Sequence, residues 1–264
     1  MAATVDTLKC DSFELEYARF GEGRQNLVII PGMGVKSALL SADVIAARYS
    51  AFRDLCTVYV LDRKSSFGPG YSIFDMADDT AASLERLGVS DAFVFGTSMG
   101  GMISLTLAAR YPSLVRKLAV SSTSARPNPV LTENMTLWED LALKGDRVAL
   151  NRDVFSKVYS PEFQERYKAA LRRLENMGTD GELERFGIMA RAVREFDIYD
   201  ELDRVSCPVL VTGVEDDTVL SGQGAEDLVP KLDCTVRIYK GKGHAIYDED
   251  PDYPKVLKEF FFGD

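Results

Sequence analysis

Histidine is almost absent from the sequence: His244 is the only one among 264 residues. Any chemistry that needs an imidazole near neutral pH must therefore use this one side chain. The four cysteines are scattered without C-x-x-C spacing, which argues against a metal site or a disulfide framework. Basic clusters are missing and the formal net charge is −10, so nucleic acid and anionic membrane surfaces are unsuitable partners.

Long apolar runs are also missing, and none approaches the length needed to cross a membrane. The first residues lack the charged head and apolar core of a secretory signal, and we expect a cytoplasmic protein without a metal or other cofactor. The glycines in residues 67–70 do not form a phosphate-binding loop, because no Gly-Lys-Ser/Thr follows them. What remains is ordinary soluble composition, with 46% hydrophobic and 27% charged residues.

Short apolar runs alternate with helix-like segments in the first half of the sequence. Four runs have the continuous hydrophobicity of strands that are covered on both faces, at residues 27–30, 57–61, 92–95 and 118–120. Between the second and third runs, residues 73–87 repeat apolar side chains at helical spacing. This alternation predicts an α/β fold with a mostly parallel central sheet that is flanked by helices.

Other segments complete the predicted architecture. Residues 13–20 predict an early strand with hairpin character, and residues 38–52 predict a single helical stretch. The alternation stops at residues 126–204, where helix-like stretches occur without a convincing strand, and it resumes afterwards. We therefore predict a core built from residues 1–125 and 205–264, interrupted by a helical cap at 126–204.

A G-x-S-x-G pattern occupies residues 96–100, directly after a predicted strand and before a good helix sequence. Small residues at Gly96 and Gly100 permit the sharp strand-to-helix turn that forces a serine above the sheet. A serine hydroxyl becomes a good nucleophile when a neighbouring base takes its proton. The pattern therefore predicts a serine hydrolase in which Ser98 is the nucleophile and His244 is the base.

The sequence resembles the α/β-hydrolase family with a helical cap over essentially its whole length. The resemblance implies a nucleophile at Ser98, an acid at Asp216 and a base at His244, in the chain order Ser, Asp, His that is expected of the fold. The matching pieces occur in family order: Pro31-Gly32-Met33-Gly34, Asp62-Arg63, Gly96-Thr97-Ser98-Met99-Gly100-Gly101, Tyr111-Pro112-Ser113-Leu114-Val115, Gly213-Val214-Glu215-Asp216 and Gly241-Lys242-Gly243-His244.

Two neighbouring carboxylates compete for the role of the acid. Asp216 and Asp217 both follow the predicted strand at residues 208–213, at its C-terminal end, where open α/β sheets place their sites. The family spacing of Gly, two residues and then Asp selects Asp216. We therefore predict that Asp216 orients His244, with Asp217 as the alternative.

The resemblance also implies an oxyanion hole made of two backbone N–H groups, those of Met33 and Met99. Many family members carry histidine at the positions of Pro31 and Thr97, so this chain departs from the family pattern twice. Neither change removes a catalytic group. The support of the loop that contains Met33 is nevertheless expected to differ.

We expect the substrate to be a small carboxylic ester or lactone that is cleaved through an acyl-enzyme intermediate. Residues 96–127 resemble enol-lactone hydrolases, whereas Ser98 argues against enzymes of this fold that use a carboxylate nucleophile. Hydrolysis of carbon–carbon bonds by the same triad, and a ligand sensor without turnover, stay open, as does the oligomeric state. A cap would limit substrate length, and its aromatic residues Trp138 and Phe155 are expected to pack on the core.

Overall fold

One mixed sheet forms the centre of the computed structural model, which describes residues 2–263. Its strands in that range are β1 Thr4–Lys9, β2 Glu14–Phe20, β3 Gln25–Ile30, β4 Cys56–Leu61, β5 Ala92–Thr97, β6 Val115–Ser121, β7 Val209–Val214 and β8 Cys234–Tyr239. Their order is β1-β2-β4-β3-β5-β6-β7-β8. β2 pairs antiparallel with β1 and β4, whereas the other neighbours are parallel, so the predicted mostly parallel sheet is confirmed.

Helices connect the strands and cover both faces of the sheet. The α-helices of the described residues are α1 Ala42–Arg48, α2 Ile73–Leu87, α3 Met99–Arg110, α4 Pro129–Leu143, α5 Arg147–Val158, α6 Pro161–Leu174, α7 Asp180–Arg194, α8 Gln223–Glu226, α9 Ile246–Glu249 and α10 Tyr253–Phe262. The predicted helix at residues 38–52 is broken: short 3₁₀ turns at Ala38–Ser41 and Ser50–Phe52 flank α1. Each helix in residues 2–263 is too short or too polar to cross a bilayer.

Alternate side chains of the buried strands build two apolar layers. On one face, Val28 and Ile30 of β3 pack in the cluster that includes α2 and α3. On the other face, Leu27 and Ile29 belong to the cluster that includes α1 and α10. Because successive residues of a strand point to opposite faces, a continuous apolar run is needed to serve both layers.

The direction of chain progression changes between β3 and β5. From β3 the chain passes through α1 to β4 on one side, and from β5 it passes through α3 to β6 on the other. β3 and β5 are nevertheless neighbours, with Ile30 opposite Gly96. Their C-terminal ends therefore border a topological switch point, which is where open α/β sheets bind ligands.

Helices alone occupy the long connection between β6 and β7. Four of them, α4 to α7, lie there, followed by a 3₁₀ helix at Tyr199–Arg204. Within the described residues no strand occurs between 126 and 204, which confirms the predicted secondary structure of this segment. We call it the four-helix segment; its standing as a separate cap domain stays a prediction.

Candidate active site

Ser98 occupies the sharp turn between β5 and α3. Its backbone has φ 52° and ψ −121°, a region that an L-residue adopts only under constraint. The constraint is visible in the hydrogen bonds: Ser98 N donates to Ser121 O over 2.9 Å, and Thr123 Oγ1 donates to Ser98 O over 2.8 Å. The end of β6 therefore holds the strained turn in place.

The two glycines of the motif allow strand and helix to approach this closely. A Cβ on Gly96 would collide with Ser104 Oγ and the carbonyl oxygen of Gly100. A Cβ on Gly100 would collide with the carbonyl oxygens of Ile30 and Pro31. The absence of a side chain at both positions is thus a steric requirement of the turn.

His244 lies in the loop that follows β8 and is 2% exposed. Its Nδ1 lies 2.8 Å from Oδ2 of Asp217, which is 6% exposed. Because an ionised carboxylate can only accept hydrogen bonds, Nδ1 carries the proton of the neutral imidazole and Nε2 keeps the lone pair. The ring is therefore held as the tautomer that can accept a proton through Nε2.

The prediction that Asp216 orients the histidine is wrong, because Asp217 occupies that position. Glu215 and Asp216 form a turn after β7, and both side chains are exposed. Because of this turn, the carboxylate that faces His244 is that of Asp217, one residue later than the family spacing predicts. The Oδ1 atom of Asp217 accepts the N–H groups of Val219 at 2.8 Å and Leu220 at 3.1 Å, which fixes the orientation of the carboxylate.

A local signal for Asp217 does exist in the sequence. Aspartate side chains often accept the N–H groups found two or three residues later, in an Asx turn. Asp217 is followed at those positions by Val219 and Leu220, whose side chains are buried. The side chain of an aspartate in such a turn is held more firmly than that of its exposed neighbour, which favours Asp217. This signal is weaker than the family spacing, which favours Asp216.

The predicted oxyanion donors lie on either side of the strand ends. Met99 is the first residue of α3, where backbone N–H groups have no partner within the helix. Met33 lies in the loop after β3, and both residues line the cavity that contains Ser98 and His244. Neither backbone N–H donates to another group in residues 2–263, so both are free to bind a ligand oxygen.

A buried arginine supports the loop that carries Met33. Arg63 donates to Pro31 O over 2.6 Å and to Gly32 O over 2.8 Å, and Gly32 N donates to Thr97 Oγ1 over 3.0 Å. Thus Arg63 and Thr97 supply the support for a loop that lacks the histidines common in the family. The role of Arg63 was not predicted from the sequence, where only its place in the family order was noted.

The charge of Arg63 is compensated by Asp62, whose carboxylate lies 3.1 Å from the guanidinium. Both residues are less than a tenth exposed. Burial opposes ionisation of Asp62, yet the adjacent Arg63 guanidinium lowers the pKa of the carboxyl below its ordinary value. The pair is therefore ionised, and removal of either partner would leave a buried charge.

A cavity of about 560 Å³ lies between the strand ends and the four-helix segment. Its volume falls within the range of small-molecule sites. Trp138 and Phe155 line it, and Trp138 is also buried in the core cluster, where core packing was expected. Other apolar residues of the segment that face the cavity are Leu131, Met135, Val154, Val158, Phe163, Met177, Phe186 and Val193.

The loop that carries His244 is bound directly to the four-helix segment. Ala245 N donates to Val158 O over 3.0 Å, and Ser160 N donates to Glu249 Oε1 over 2.6 Å. Gly243 lies so close to the end of α5 that a Cβ there would collide with Ser160 N. The loop that carries His244, the proposed general base, is therefore in direct contact with the part of the four-helix segment that covers the cavity.

The arrangement resembles the nucleophile, base and acid of acyl-transfer enzymes. Serine, histidine and aspartate follow three different strands at the carboxyl edge of the sheet; His244 and Asp217 are in direct contact, and Ser98 and His244 line the same cavity. Among residues 2–263, no group of three or more His, Cys, Asp and Glu side chains is placed to bind a metal ion. The four cysteines are free thiols, and burial raises the pKa of Cys56 to about 12.

Comparisons with known proteins agree with this fold. The profile of the alpha/beta hydrolase fold matches residues 53–251. The 3-oxoadipate enol-lactonase 2 of Acinetobacter baylyi is 26% identical over 83% of this chain and 82% of its own. The pyrrolizixenacetamide deacetylase of Xenorhabdus hominickii is 24% identical over 76% of each chain. The enol-lactonase structure from Burkholderia xenovorans superposes with a TM-score of 0.84 at 18% identity, covering 97% of this chain and 99% of that one.

Proposed function

Since the chain belongs to the α/β-hydrolase family, we propose that it is a serine hydrolase that cleaves small carboxylic esters or lactones. The observation that carries the proposal is the buried His244–Asp217 contact of 2.8 Å beside a strained serine turn. The relatives named as an enol-lactonase and as a deacetylase support acyl transfer to water. Their names differ in the bond that is cleaved, and the cavity is the part of this chain that selects the substrate.

The proposed reaction uses five groups. Ser98 Oγ attacks the substrate carbonyl carbon, while His244 Nε2 takes the hydroxyl proton. The carbonyl oxygen becomes negatively charged and receives hydrogen bonds from the N–H groups of Met33 and Met99. Asp217 stabilises the imidazolium that forms at His244.

The acyl-enzyme then forms and is hydrolysed. The bond to the leaving oxygen breaks, and that oxygen takes the proton from His244, which leaves an ester on Ser98. Water enters, gives its proton to His244 and attacks the same carbonyl carbon. The second tetrahedral intermediate collapses as its bond to Ser98 Oγ breaks, His244 returns the proton to Ser98 Oγ, and the carboxylic acid is released, so the enzyme is restored.

The test is a turnover measurement with p-nitrophenyl esters and with γ- and δ-lactones. The acyl chains of the esters have about two to twelve carbons, which covers the lengths that a small-molecule cavity can hold. We expect many product molecules per protein, with a maximum among short to medium chains. A ligand sensor would release about one equivalent of nitrophenol and then stop. If no ester or lactone is turned over repeatedly while matched anilides or β-diketones are, the substrate class is wrong.

Enlargement of the cavity should shift the preferred chain length. Phe155→Ala removes a ring that lines the cavity from α5. The ratio of kcat/KM for the octanoyl ester to kcat/KM for the butanoyl ester should therefore rise about tenfold. Leu137→Ala is the matched control, because Leu137 lies on the four-helix segment but is 39% exposed and outside the cavity lining. An unchanged preference in a folded Phe155→Ala protein would show that the four-helix segment does not select the substrate.

Arg63 should affect the rate through the position of the Met33 N–H. Arg63→Met removes two hydrogen bonds to the loop, and we expect kcat to fall by about 10²-fold, since loss of an oxyanion donor has costs of this order. The variant also leaves the buried Asp62 with only the more distant Arg185 guanidinium, at 3.9 Å, as a cationic partner. The double variant Asp62→Asn/Arg63→Met should therefore recover thermal stability but not kcat; recovery of both would assign Arg63 to stability alone.

A further inference from the structure

Asp248 is a carboxylate in the cavity that the proposed reaction does not use. It lies in α9, four residues after His244, and is one of the lining residues. Its side chain is accessible from the cavity although protein surrounds it. Within residues 2–263 its carboxylate has no hydrogen bond or ion pair, in contrast to Asp217.

The charge of Arg48 favours the ionised form of Asp248, but no ion pair to the Asp248 carboxylate forms within residues 2–263. Arg48 is the nearby cation, but its guanidinium donates to the carbonyl oxygens of Tyr247 and Asp250, each over 2.7 Å. Glu249 adds a second negative charge, and its carboxylate accepts the N–H of Ser160. Burial raises the pKa of Asp248 to about 6, so the carboxylate is ionised above that pH and lacks a partner of its own.

Aromatic rings surround this carboxylate. Tyr49, Tyr159 and Tyr247 line the cavity and lie close enough to Asp248 to interact with its charge. Tyr247 also lies against Thr97, the residue before the nucleophile, so this part of the cavity is continuous with the site of attack. Aromatic faces attract cations, most strongly where water is excluded.

The cavity offers little to an anionic substrate. Lys36 is the single lysine or arginine among its described lining residues, and its ammonium lies 2.7 Å from Glu182. Asp248 is an exposed, unpaired carboxylate in the lining of this cavity, so it is available to a ligand of opposite charge. An organic cation would both neutralise the Asp248 carboxylate and be attracted to the faces of the rings.

We propose that Asp248, together with Tyr49, Tyr159 and Tyr247, forms a subsite for an ammonium group of the substrate. The preferred esters or lactones then carry a positively charged nitrogen on a short apolar chain. This inference rests on the proposed hydrolase function but concerns the part of the substrate that lies away from the scissile bond. It makes Asp248 a specificity-determining residue.

The test compares two esters that differ only in charge. p-Nitrophenyl 4-(trimethylammonio)butanoate and p-nitrophenyl 5,5-dimethylhexanoate have the same shape, with nitrogen in one where the other has carbon. We expect the cationic ester to be preferred by about tenfold or more in kcat/KM. Asp248→Asn should abolish the preference, whereas Asp216→Asn, which removes an exposed carboxylate outside the cavity lining, should keep it. Equal preference in the unmodified protein and the Asp248→Asn variant overturns the proposal.

The pH dependence of the same ratio tests the proposal without a variant. Any effect of pH on the chemical steps that both esters share cancels in the ratio. Asp248 becomes neutral as the pH falls through about 6, so the cationic preference should be present above that pH and decline below it. The other titratable groups facing Asp248 are Arg48, Tyr49, Tyr159, Tyr247 and Glu249, and of these Glu249 is the one further carboxylic acid. Asp248→Asn should make the ratio independent of pH, and a ratio that stays flat in the unmodified protein contradicts the subsite.

A binding measurement separates this proposal from the proposed function. n-Butyltrimethylammonium carries the cation but has no scissile bond. It should raise the melting temperature of the unmodified protein and of Asp216→Asn, and leave Asp248→Asn unchanged. If neither ester is hydrolysed but this shift is seen, the hydrolase proposal fails and the ammonium subsite stands; if esters are hydrolysed without the shift or the charge preference, the subsite fails alone.

Discussion

Alanine at position 98 is expected to lower kcat by about 10⁶-fold, the magnitude seen when a triad serine is removed from a protease. The reason is that the acyl-enzyme cannot form without the hydroxyl, whereas the cavity and the oxyanion donors stay intact. The substitution keeps a Cβ on the strained turn, so the melting temperature should change little. The measurement is kcat on the best ester, together with mass spectrometry of the peptide that a fluorophosphonate probe labels.

Ser122→Ala is the matched control for this substitution. Ser122 also has a positive φ, of 47°, and its buried hydroxyl has no hydrogen-bond partner within the described residues. It should be neither labelled nor required for activity. Ester turnover at the full rate by Ser98→Ala, or labelling at another serine, would end the assignment of Ser98 as the nucleophile.

The second large effect is expected at the acid. Asp217→Asn should reduce kcat by about 10⁴-fold, as the corresponding substitution does in a serine protease. An asparagine amide can donate to Nδ1 and so favour the wrong imidazole tautomer, and it cannot stabilise the imidazolium. The carbonyl oxygen of the new side chain would still accept the N–H groups of Val219 and Leu220, so the loop should remain folded.

Asp216→Asn serves as the comparison for Asp217→Asn, because it changes the same charge one residue earlier in an exposed turn. Its kcat should stay within about threefold of the unmodified protein, since surface substitutions have small effects. The pair is measured under saturating ester at constant pH and ionic strength. A large loss in Asp216→Asn with a small loss in Asp217→Asn would restore the acid that the family spacing predicts.

The sequence predicts the buried elements of the fold well because each of them needs a continuous or periodic apolar pattern. The predicted helix at residues 73–87 agrees with α2, Ile73–Leu87, whose ends are marked by a capping box at Ser72 and by Gly88 with φ 69°. β1 was not predicted. Its residues are mostly exposed, and an edge strand of this kind carries no apolar signal.

Two parts of the candidate site could be predicted for different reasons. The strand-to-helix turn requires small residues at Gly96 and Gly100, so the motif points to Ser98, and His244 is the only histidine that could act as its base. The loop after β7 has no such steric requirement. Because its turn is one residue longer than the family spacing implies, Asp217 and not Asp216 contacts His244. Asp248 has no motif at all, because its unusual property arises from the residues that surround it after folding.

The backbone contacts between the His244 loop and the end of α5 have a consequence for how substrates enter. A motion that lifts α5 away from the sheet must either break the bond from Ala245 N to Val158 O or carry the loop with it. If the loop is carried along, His244 leaves its place beside the strand ends; if instead the bond breaks, His244 stays in contact with Asp217 and only the contact between α5 and the loop opens. The amide hydrogens of Ala245 and Ser160 would then exchange with solvent in one cooperative event. Amide exchange at these two positions would therefore measure how often α5 and the His244 loop separate.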